Sequence, residues 1–187
     1  SGSVDPKAPD AREVANYVKA MEYGLVRLKK FPLSIRFIKE VHEHLMHDVR
    51  REHLTPGEFR RSQNRIGPDR CTLMNATYVP PPVEDMEQAL GLFEAYLHAS
   101  SSVPLLIRLA AIHYQFEAIH PFLDGNGRIG RLFMTLLLCK EGALPEPLLY
   151  LSAYFERYRN EYYRLLLAVS PSGKWIDWIS FFLRGVA

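Results

Sequence analysis

Cysteine is scarce in this sequence, since only Cys71 and Cys139 occur among its 187 residues. So few thiols do not make the disulfide framework on which small secreted domains depend, and a reducing cytoplasm is the expected location. An excess of charge is also lacking, because the formal net charge is only +2. Domains that bind nucleic acid concentrate basic residues on one face, so we expect no direct nucleic-acid binding.

Long hydrophobic runs are absent as well. No stretch approaches the roughly 20 apolar residues that span a bilayer, and no apolar segment near the start has the form of a signal peptide. We therefore expect no membrane partner. Residues 1–9, which open with Ser-Gly-Ser, are expected to be a tag or linker remnant. Residues 10–187 are expected to form one domain, since 48% of the chain is hydrophobic and can build one core.

Most of the chain shows the spacing of apolar side chains, three and four residues apart, that predicts amphipathic helices. The segment 104–119 is apolar on almost every side, so it should be a central, buried helix that leads to His120. Helices are predicted from about residue 10, from Ser34, over 83–99, over 104–119, from the glycines at 125–127 to about Gly142, over 148–169 and over 175–183.

The first two helices have clear apolar faces. In the first, the face predicted to be buried consists of Val14, Tyr17, Val18, Met21, Leu25 and Leu28. In the second, it consists of Ile35, Ile38, Val41, Leu45 and Val49.

Residues 51–82 interrupt the helical pattern with several prolines and glycines. A connection of this length is uncommon in a compact domain unless it has a function. Two short pieces, around 62–66 and 76–79, could pair as a small β-hairpin. The basic residues Arg60 and Arg61 in this connection are expected to be solvated loop charges.

The run from His120 to Arg131, His-Pro-Phe-Leu-Asp-Gly-Asn-Gly-Arg-Ile-Gly-Arg, contains most of the candidate chemistry. Its glycines, Gly125 and Gly127, allow a close approach of the backbone to a ligand, and the apolar run that follows has helical spacing. The segment Gly125, Asn126, Gly127 should therefore lie at a helix N-terminus. Unpaired N–H groups and the helix dipole make such a terminus a phosphate-binding site.

Charged and titratable side chains flank this predicted phosphate site. Arg128 and Arg131 are three residues apart, so they should share one face of the first helical turn and could bind further phosphates. His120 can accept and return a proton near neutral pH, which makes it a candidate general base. Asp124 offers the oxygen ligands that suit Mg²⁺.

Two other interpretations fit parts of the same run. Gly125, Gly127 and Gly130 satisfy the dinucleotide-binding pattern G-x-G-x-x-G, but that pattern requires a preceding strand, and here a helix is predicted. Alternatively, Asp124 could cap a helix that follows a tight turn, with two solvated arginines. That alternative explains each residue singly but not their occurrence together.

Other histidines and acids are expected to be structural. His42 and Glu43 begin like a zinc-protease motif, but Met46 stands where the second histidine should be. His42 and its neighbours are thus expected to be packing or surface residues. His113 and Glu117, which precede His120 on the same predicted helix, are expected to be structural hydrogen-bonding residues.

The run 120–131 resembles the signature of the Fic family, His-x-Phe-x-(Asp/Glu)-Gly-Asn-Gly-Arg-x-x-Arg, and is complete at every fixed position. The resemblance implies a mostly α, single-domain Fic-type helical bundle with a small β-hairpin flap. It also implies a protein adenylyltransferase, which transfers AMP from ATP to a Ser, Thr or Tyr hydroxyl of a target protein with the help of Mg²⁺.

The resemblance also implies roles for individual residues. His120 would be the catalytic base, Asp124 would bind the metal, and Phe122 would anchor the loop in the core. The anion hole would consist of Gly125, Asn126 and Gly127, and the outer phosphates would be held by Arg128 and Arg131.

The resemblance also assigns residues outside the run. The nucleotide base and ribose would contact Tyr154, Arg157 and Tyr163. A flap that positions the target would follow the stretch Gly57–Arg60 and would consist of Gln63, Asn64, Arg65 and Ile66.

In the region of Arg157 the sequence departs from related sequences, which often have an asparagine there. Two alternatives remain open at this level: a transferase of the same fold that uses another nucleotide donor, and a regulatory module that binds nucleotide without transfer.

Many relatives restrain the second arginine of the signature with a glutamate in the pattern Ser/Thr-x-x-x-Glu-Gly/Asn. The stretch from Ser152 to Glu156 comes nearest to this pattern, but Arg157 follows it. We therefore expect that an inhibitory helix or an antitoxin-like partner lies outside this chain. Self-modification without an activator is expected in its absence.

Overall fold

A computed structural model describes residues 11–48, 55–147 and 150–186 of the chain. Eight α-helices lie within these residues, which confirms the prediction of a mostly helical fold. None of the helices in this part of the chain is both long and apolar enough to cross a membrane. The helices are α1 (Ala11–Leu28), α2 (Ile35–Leu45), α3 (Val83–His98), α4 (Leu105–Ile119), α5 (Asn126–Lys140), α6 (Tyr150–Arg157), α7 (Arg159–Ser172) and α8 (Trp175–Val186).

Helices α4 and α5 form the centre of the bundle, as the apolar character of 104–119 predicts. Helix α5 is buried along most of its length and packs against α1, α2, α4 and α6. Helix α4 packs against α3, α5 and α8. The connection between them, residues 120–125, is called the motif loop below. Because both of its ends are attached to buried helices, its backbone is held in place by the core.

Helix α2 shows why the local predictions are accurate. Ser34 is its N-cap, and the Ser34 hydroxyl accepts a hydrogen bond from the Phe37 N–H at 3.1 Å. Ile38, Val41 and Leu45 are fully buried, as predicted. Val49, the last residue of the predicted face, lies outside the described residues.

The predicted apolar face of α1 is partly wrong. Val14 and Val18 are 49% and 46% exposed. Met21 is buried as predicted, but the other buried positions of this helix are Asn16, Ala20 and Gly24. Small side chains let the α1 backbone approach α5 closely, so the face with the least side-chain volume is turned inward and the two valines face outward.

The segment 148–169, predicted as one helix, forms two. Tyr158, with φ −109° and ψ 34°, separates α6 from α7. The Phe155 and Tyr162 rings stack at 4.8 Å on either side of this bend, and both contact α8 through Phe181. The bend thus allows consecutive helices to pack on the same partner. Residues 148 and 149 lie outside the described part of the chain.

The predicted β-hairpin is present only as one antiparallel bridge between Ile66 and Tyr78. The Ile66 N–H donates to the Tyr78 carbonyl at 2.9 Å, and the Tyr78 N–H donates to the Ile66 carbonyl at 3.0 Å. Pro68 and Pro80 lie two residues beyond this pair, and a proline has no N–H with which to extend the ladder. The two segments pair as predicted but do not form strands.

The close approach of α1 to α5 gives a first test. A Cβ at Gly24 would lie 2.6 Å from Leu136 Cδ1, and Leu136 is fully buried. We expect Gly24→Ala to lower the free energy of unfolding by about 1–3 kcal/mol because of overpacking. Gly91→Ala on α3 is the matched control, because a Cβ at Gly91 would have no neighbouring atom within 4 Å. This control should gain about 0.5–1 kcal/mol from helix propensity. Urea unfolding followed by circular dichroism measures the free energy of unfolding of both variants. Equal changes in the two variants would contradict the close packing of Gly24 against Leu136.

Candidate active site

His120 stands at the end of α4 and lines a cavity of about 720 Å³. Its backbone is left-handed, with φ 49° and ψ 60°, which is uncommon for a residue other than glycine. The conformation is supported on both sides. The His120 N–H donates to the Phe116 carbonyl at 3.0 Å, and the His120 carbonyl accepts from Arg60 Nε at 3.0 Å.

The prediction that Arg60 is a solvated loop charge is wrong, since Arg60 is only 1% exposed. Besides the His120 carbonyl, its guanidinium donates to the carbonyls of Ser62 and Pro81. Its backbone N–H donates to the Pro121 carbonyl at 2.9 Å. Because these acceptors replace water, the buried charge is tolerated. Burial nevertheless lowers the pKa of Arg60 below its ordinary value.

Arg61, by contrast, is exposed as predicted and pairs with Glu58 at 3.0 Å. Local spacing does not distinguish the two arginines, because the His120 and Pro81 carbonyls that accept from Arg60 are distant in the sequence.

The side chain of His120 is suited to accept a proton. Burial lowers the pKa of His120 to about 4. The imidazole is therefore neutral at pH 7, which is the state that a general base requires. Since the ring lines the cavity, a hydroxyl group that enters the cavity can reach it.

Phe122 and Asn126 hold the motif loop in the core. Phe122 is fully buried, and its ring stacks on His42 with the centroids 3.7 Å apart. The Asn126 side chain accepts from the Phe122 N–H at 2.9 Å and donates to the Phe122 carbonyl at 2.8 Å. The Asn126 side chain is thus committed to the loop, and only its backbone at the start of α5 remains for a ligand.

Gly125 precedes α5 with a left-handed backbone, φ 79°. A Cβ there would lie 2.8 Å from Met46 Sδ and 3.2 Å from His42 Nε2, so both the conformation and the space require glycine. His42 accepts the Gly57 N–H on Nδ1 at 3.0 Å, which leaves Nε2 to donate to the Asp124 carbonyl at 3.0 Å. His42 is therefore a packing residue, as predicted.

The two arginines of the signature have different surroundings. Arg131 and Gly127 line the cavity together with His120. Arg128, which was predicted to hold outer phosphates, is not among the residues that line the cavity. Its guanidinium lies 3.4 Å from Glu13 on α1 and 3.8 Å from Asp124. The sequence could not reveal this difference because Glu13 is distant in the chain.

Asp124 lies beside the N-terminus of α5. Its Oδ1 accepts the Gly125 N–H at 2.6 Å, and its side chain is 28% exposed. No group of three or more His, Cys, Asp or Glu residues in the described ranges could hold a metal ion by itself. Mg²⁺ is commonly held by one or two carboxylates together with substrate phosphates. Asp124 fits such a site.

The flap, residues 62–79, is attached to the site at two places. The Tyr78 hydroxyl donates to the Ala118 carbonyl of α4 at 2.7 Å. Asn64 Nδ2 donates to the Phe122 carbonyl of the motif loop at 3.3 Å. Both members of the bridge, Ile66 and Tyr78, line the cavity.

The other predicted flap residues stabilise the flap itself. Gln63 Nε2 donates to the Pro80 carbonyl at 2.7 Å. The Arg65 guanidinium donates to the Cys71 carbonyl. Of the four predicted flap residues, only Ile66 is among the residues that line the cavity.

Helix α7 forms the apolar wall of the cavity. Of the three residues predicted to contact the nucleotide base, only one lies on this helix. Tyr163 lines the cavity. Tyr154 and Arg157 are not among the lining residues: the Tyr154 ring packs 5.1 Å from Phe181, and Arg157 is exposed. The bend at Tyr158 explains this difference, because it turns α6 toward α8.

Further residues of the wall were missed in the sequence. Leu166, Leu167 and Ser170 line the cavity and follow Tyr163 by three, four and seven residues. That spacing places them on one helical face, so it was the signal that could have identified them. Tyr78, Tyr114 and Tyr162 complete the aromatic part of the lining.

Comparison with known proteins agrees with this architecture. The model of the Fic/DOC family matches residues 32–138. A relative from Drosophila yakuba, "Protein adenylyltransferase Fic", is 33% identical over 168 residues, which are 88% of this chain and 30% of the relative. The chain thus spans less than a third of the length of that relative.

Solved structures show the same fold. A Fic family protein from Desulfovibrio desulfuricans G20 superposes with a TM-score of 0.74 at 22% identity, over 96% of this chain and 52% of that chain. The BepC protein of Bartonella tribocorum, solved with bound AMPPNP, gives a TM-score of 0.55 at 15% identity, over 91% of this chain and 84% of that chain.

Buried histidines make the fold sensitive to acid. Burial lowers the pKa of His42 and His120 to about 4 and that of His113 to about 3. Unfolded histidines take up protons near pH 6.5, so the unfolded state binds more protons below that value. Stability should therefore fall as the pH drops from 6.5 toward 4, by at most about 1.4 kcal/mol per pH unit for each histidine.

Urea unfolding at a series of pH values measures this slope. His120→Ala should make the slope shallower. The matched control His47→Gln, at a side chain that is 71% exposed, should leave it unchanged. If the wild type and both variants showed the same dependence of stability on pH, His120 would not be a buried, neutral imidazole.

Proposed function

The chain belongs to the Fic/DOC family, and from this we propose that it is a protein adenylyltransferase that transfers AMP from ATP to a hydroxyl side chain of a target protein. One observation carries the proposal: His120, the N-terminal turn of α5 at Gly127, and Arg131 line a single cavity. A base, an anion site and a cation thus surround one space, which is what attack of a hydroxyl on a phosphate requires.

In the proposed reaction, His120 removes the proton from the target hydroxyl. The hydroxyl oxygen attacks the α-phosphorus of ATP, the bond to pyrophosphate breaks, and AMP becomes bonded to the target. The N–H groups at the start of α5 stabilise the negative charge that grows on the α-phosphate, and Arg131 binds the outer phosphates. Mg²⁺ bound at Asp124 would neutralise part of the charge of the leaving pyrophosphate.

The remaining lining residues suit the rest of the nucleotide. Tyr163, Leu166 and Leu167 offer an aromatic and aliphatic wall against which a purine can pack. The choice of ATP is supported by the adenylyltransferase name of the Drosophila relative and by AMPPNP in BepC. Both cysteines are free thiols, which agrees with the reducing cytoplasm that we propose as its location.

The flap is the proposed contact for the target protein. In the described part of the flap the one β-bridge joins Ile66 and Tyr78, and a strand of the target could be added beside this pair. Ile66, which faces the cavity, would then contact the modified side chain. The serine, threonine or tyrosine that receives AMP would lie next to His120.

Self-modification is the expected activity without an activator. The acidic residue that α1 brings to the signature is Glu13, and it pairs with Arg128 rather than with Arg131. Arg131 lines the cavity, where the phosphates of a bound nucleotide would reach it. An inhibitory helix or an antitoxin-like partner would act by occupying Arg131.

The role of His120 can be tested by separating binding from transfer. His120→Ala should lower the rate of AMP transfer by a factor of about 10²–10⁴, because the general base is lost. Its affinity for AMPPNP should change by no more than about twofold, since the imidazole acts on the hydroxyl and not on the phosphates. Radiolabelled ATP measures transfer, and calorimetry measures binding.

His47→Ala is the control for the His120 variant and should resemble the wild type in both assays. Loss of affinity in step with activity would refute the assignment of the base. The same transfer assay with labelled UTP or CDP-choline tests the alternative donors, and binding without transfer in the wild type would favour a regulatory module.

The position of Arg131 predicts a selective loss of nucleotide affinity. Arg131→Gln should weaken AMPPNP binding by about ten- to a hundredfold, as expected for a lost hydrogen bond between charged groups. Arg164→Gln, on the exposed side of α7, is the matched control and should bind normally. If both variants bound AMPPNP with the wild-type affinity, Arg131 would not contact the phosphates.

A further inference from the structure

Glu117 is a carboxylic acid in the cavity to which the proposed reaction gives no role. It lies on α4, almost one turn before His120, and lines the same cavity. Its Oε1 atom is buried and has no hydrogen-bond partner among the described residues. A buried carboxyl oxygen without a partner is costly, so its presence in the cavity requires an explanation.

The structure provides room for this carboxyl group at one place on α5. Gly130 faces it, and a Cβ on Gly130 would collide with Glu117 Oε1 and would also lie 3.2 Å from Phe116 Cδ1. The absence of a side chain at residue 130 thus lets the acid approach the α5 backbone. Arg131, the next residue, is close enough for its charge to act on Glu117.

Near neutral pH, Glu117 is poised to change its charge. Burial raises the pKa of Glu117 to about 7, and the positive charge of Arg131 opposes this increase. Burial also lowers the pKa of His113 to about 3 and that of His120 to about 4, so both histidines are neutral at pH 7.

Other titratable groups face the cavity from α7 and from the flap. Burial raises the pKa of Tyr162, on α7, well above its ordinary value, and it raises that of Tyr78 in the flap. The phenols of Tyr114 and Tyr163 and the guanidinium of Arg159 complete the titratable and charged lining.

We propose that Glu117 is a positioning residue for Arg131 and makes nucleotide binding proton-linked. The ionised carboxylate attracts the guanidinium, whereas the protonated acid leaves the guanidinium to the phosphate chain. The proposal rests on the proposed function, because it requires that a nucleotide places its phosphates on Arg131.

The sign of the linkage follows from the charges. When phosphate binds Arg131, Glu117 loses part of the attraction that lowers its pKa, and an anion comes close to it. Both changes raise the pKa of Glu117, so the complex holds more protons than the free protein above pH 7. Affinity should therefore be highest below about pH 7 and decrease by up to about tenfold per pH unit above it.

Calorimetry with AMPPNP and Mg²⁺ between pH 6 and pH 8.5 tests the proposal on the intact chain. Titrations in buffers of different ionisation enthalpy count the protons that are taken up. The wild type should take up a fraction of a proton approaching one per nucleotide near pH 8, and its affinity should be about tenfold weaker at pH 8 than at pH 6.

The variant Glu117→Gln keeps the shape of the side chain and removes its charge. Its affinity should match that of the wild type at pH 6 and exceed it by about tenfold at pH 8, because the amide mimics the protonated acid. When this variant binds AMPPNP, the proton uptake should be limited to that of the nucleotide phosphates themselves. Glu87→Gln, at an exposed position of α3, is the matched control and should follow the wild type.

The outcomes separate the two proposals. Binding without proton uptake and with the same affinity across the pH range would overturn the role of Glu117 and leave the transferase assignment intact. This measurement needs only the wild type, so it decides the question even if Glu117→Gln does not fold. No binding of AMPPNP at any pH would overturn both proposals.

Discussion

The buried guanidinium of Arg60 is the interaction on which the geometry of the site depends. It donates to the carbonyl of His120 at 3.0 Å, to that of Ser62 at 3.2 Å and to that of Pro81. These carbonyls belong to the end of α4, to the start of the flap at Ser62, and to Pro81, which lies two residues beyond the flap. One rigid, planar group therefore sets how the catalytic histidine, the motif loop and the flap are arranged relative to one another.

The motif loop needs this support because its backbone is irregular. His120 and Gly125 both have positive φ values, and the segment between them is too short for regular hydrogen bonding. The Asn126 side chain satisfies both backbone groups of Phe122, and His42 satisfies the carbonyl of Asp124. Arg60 and Asn64 donate to further carbonyls of the loop, at His120 and Phe122. The loop is thus satisfied by side chains, and the first turn of α5 keeps its N–H groups available for a ligand.

Features governed by neighbouring residues could be predicted from the sequence. The Ser34 cap, the buried helix α4 and the helix start after Gly125 each depend on local spacing or backbone freedom. Arg60 could not be recognised as buried, because the acceptors that compensate its charge come from the flap and from residue 120. The inner face of α1 also depends on distant residues, since small side chains face inward only where another helix approaches.

The bend at Tyr158 divides the aromatic segment into a part that packs in the core and a part whose exposed face lines the cavity. On α6, Phe155 packs into the core with α8, whereas Tyr163, Leu166, Leu167 and Ser170 on α7 line the cavity. Substitutions along that face of α7 can reshape the cavity while the contacts of Phe155 with α8 stay in place. A lineage of such proteins could therefore acquire a preference for a different small molecule by drift along one helical face, with little loss of folding stability.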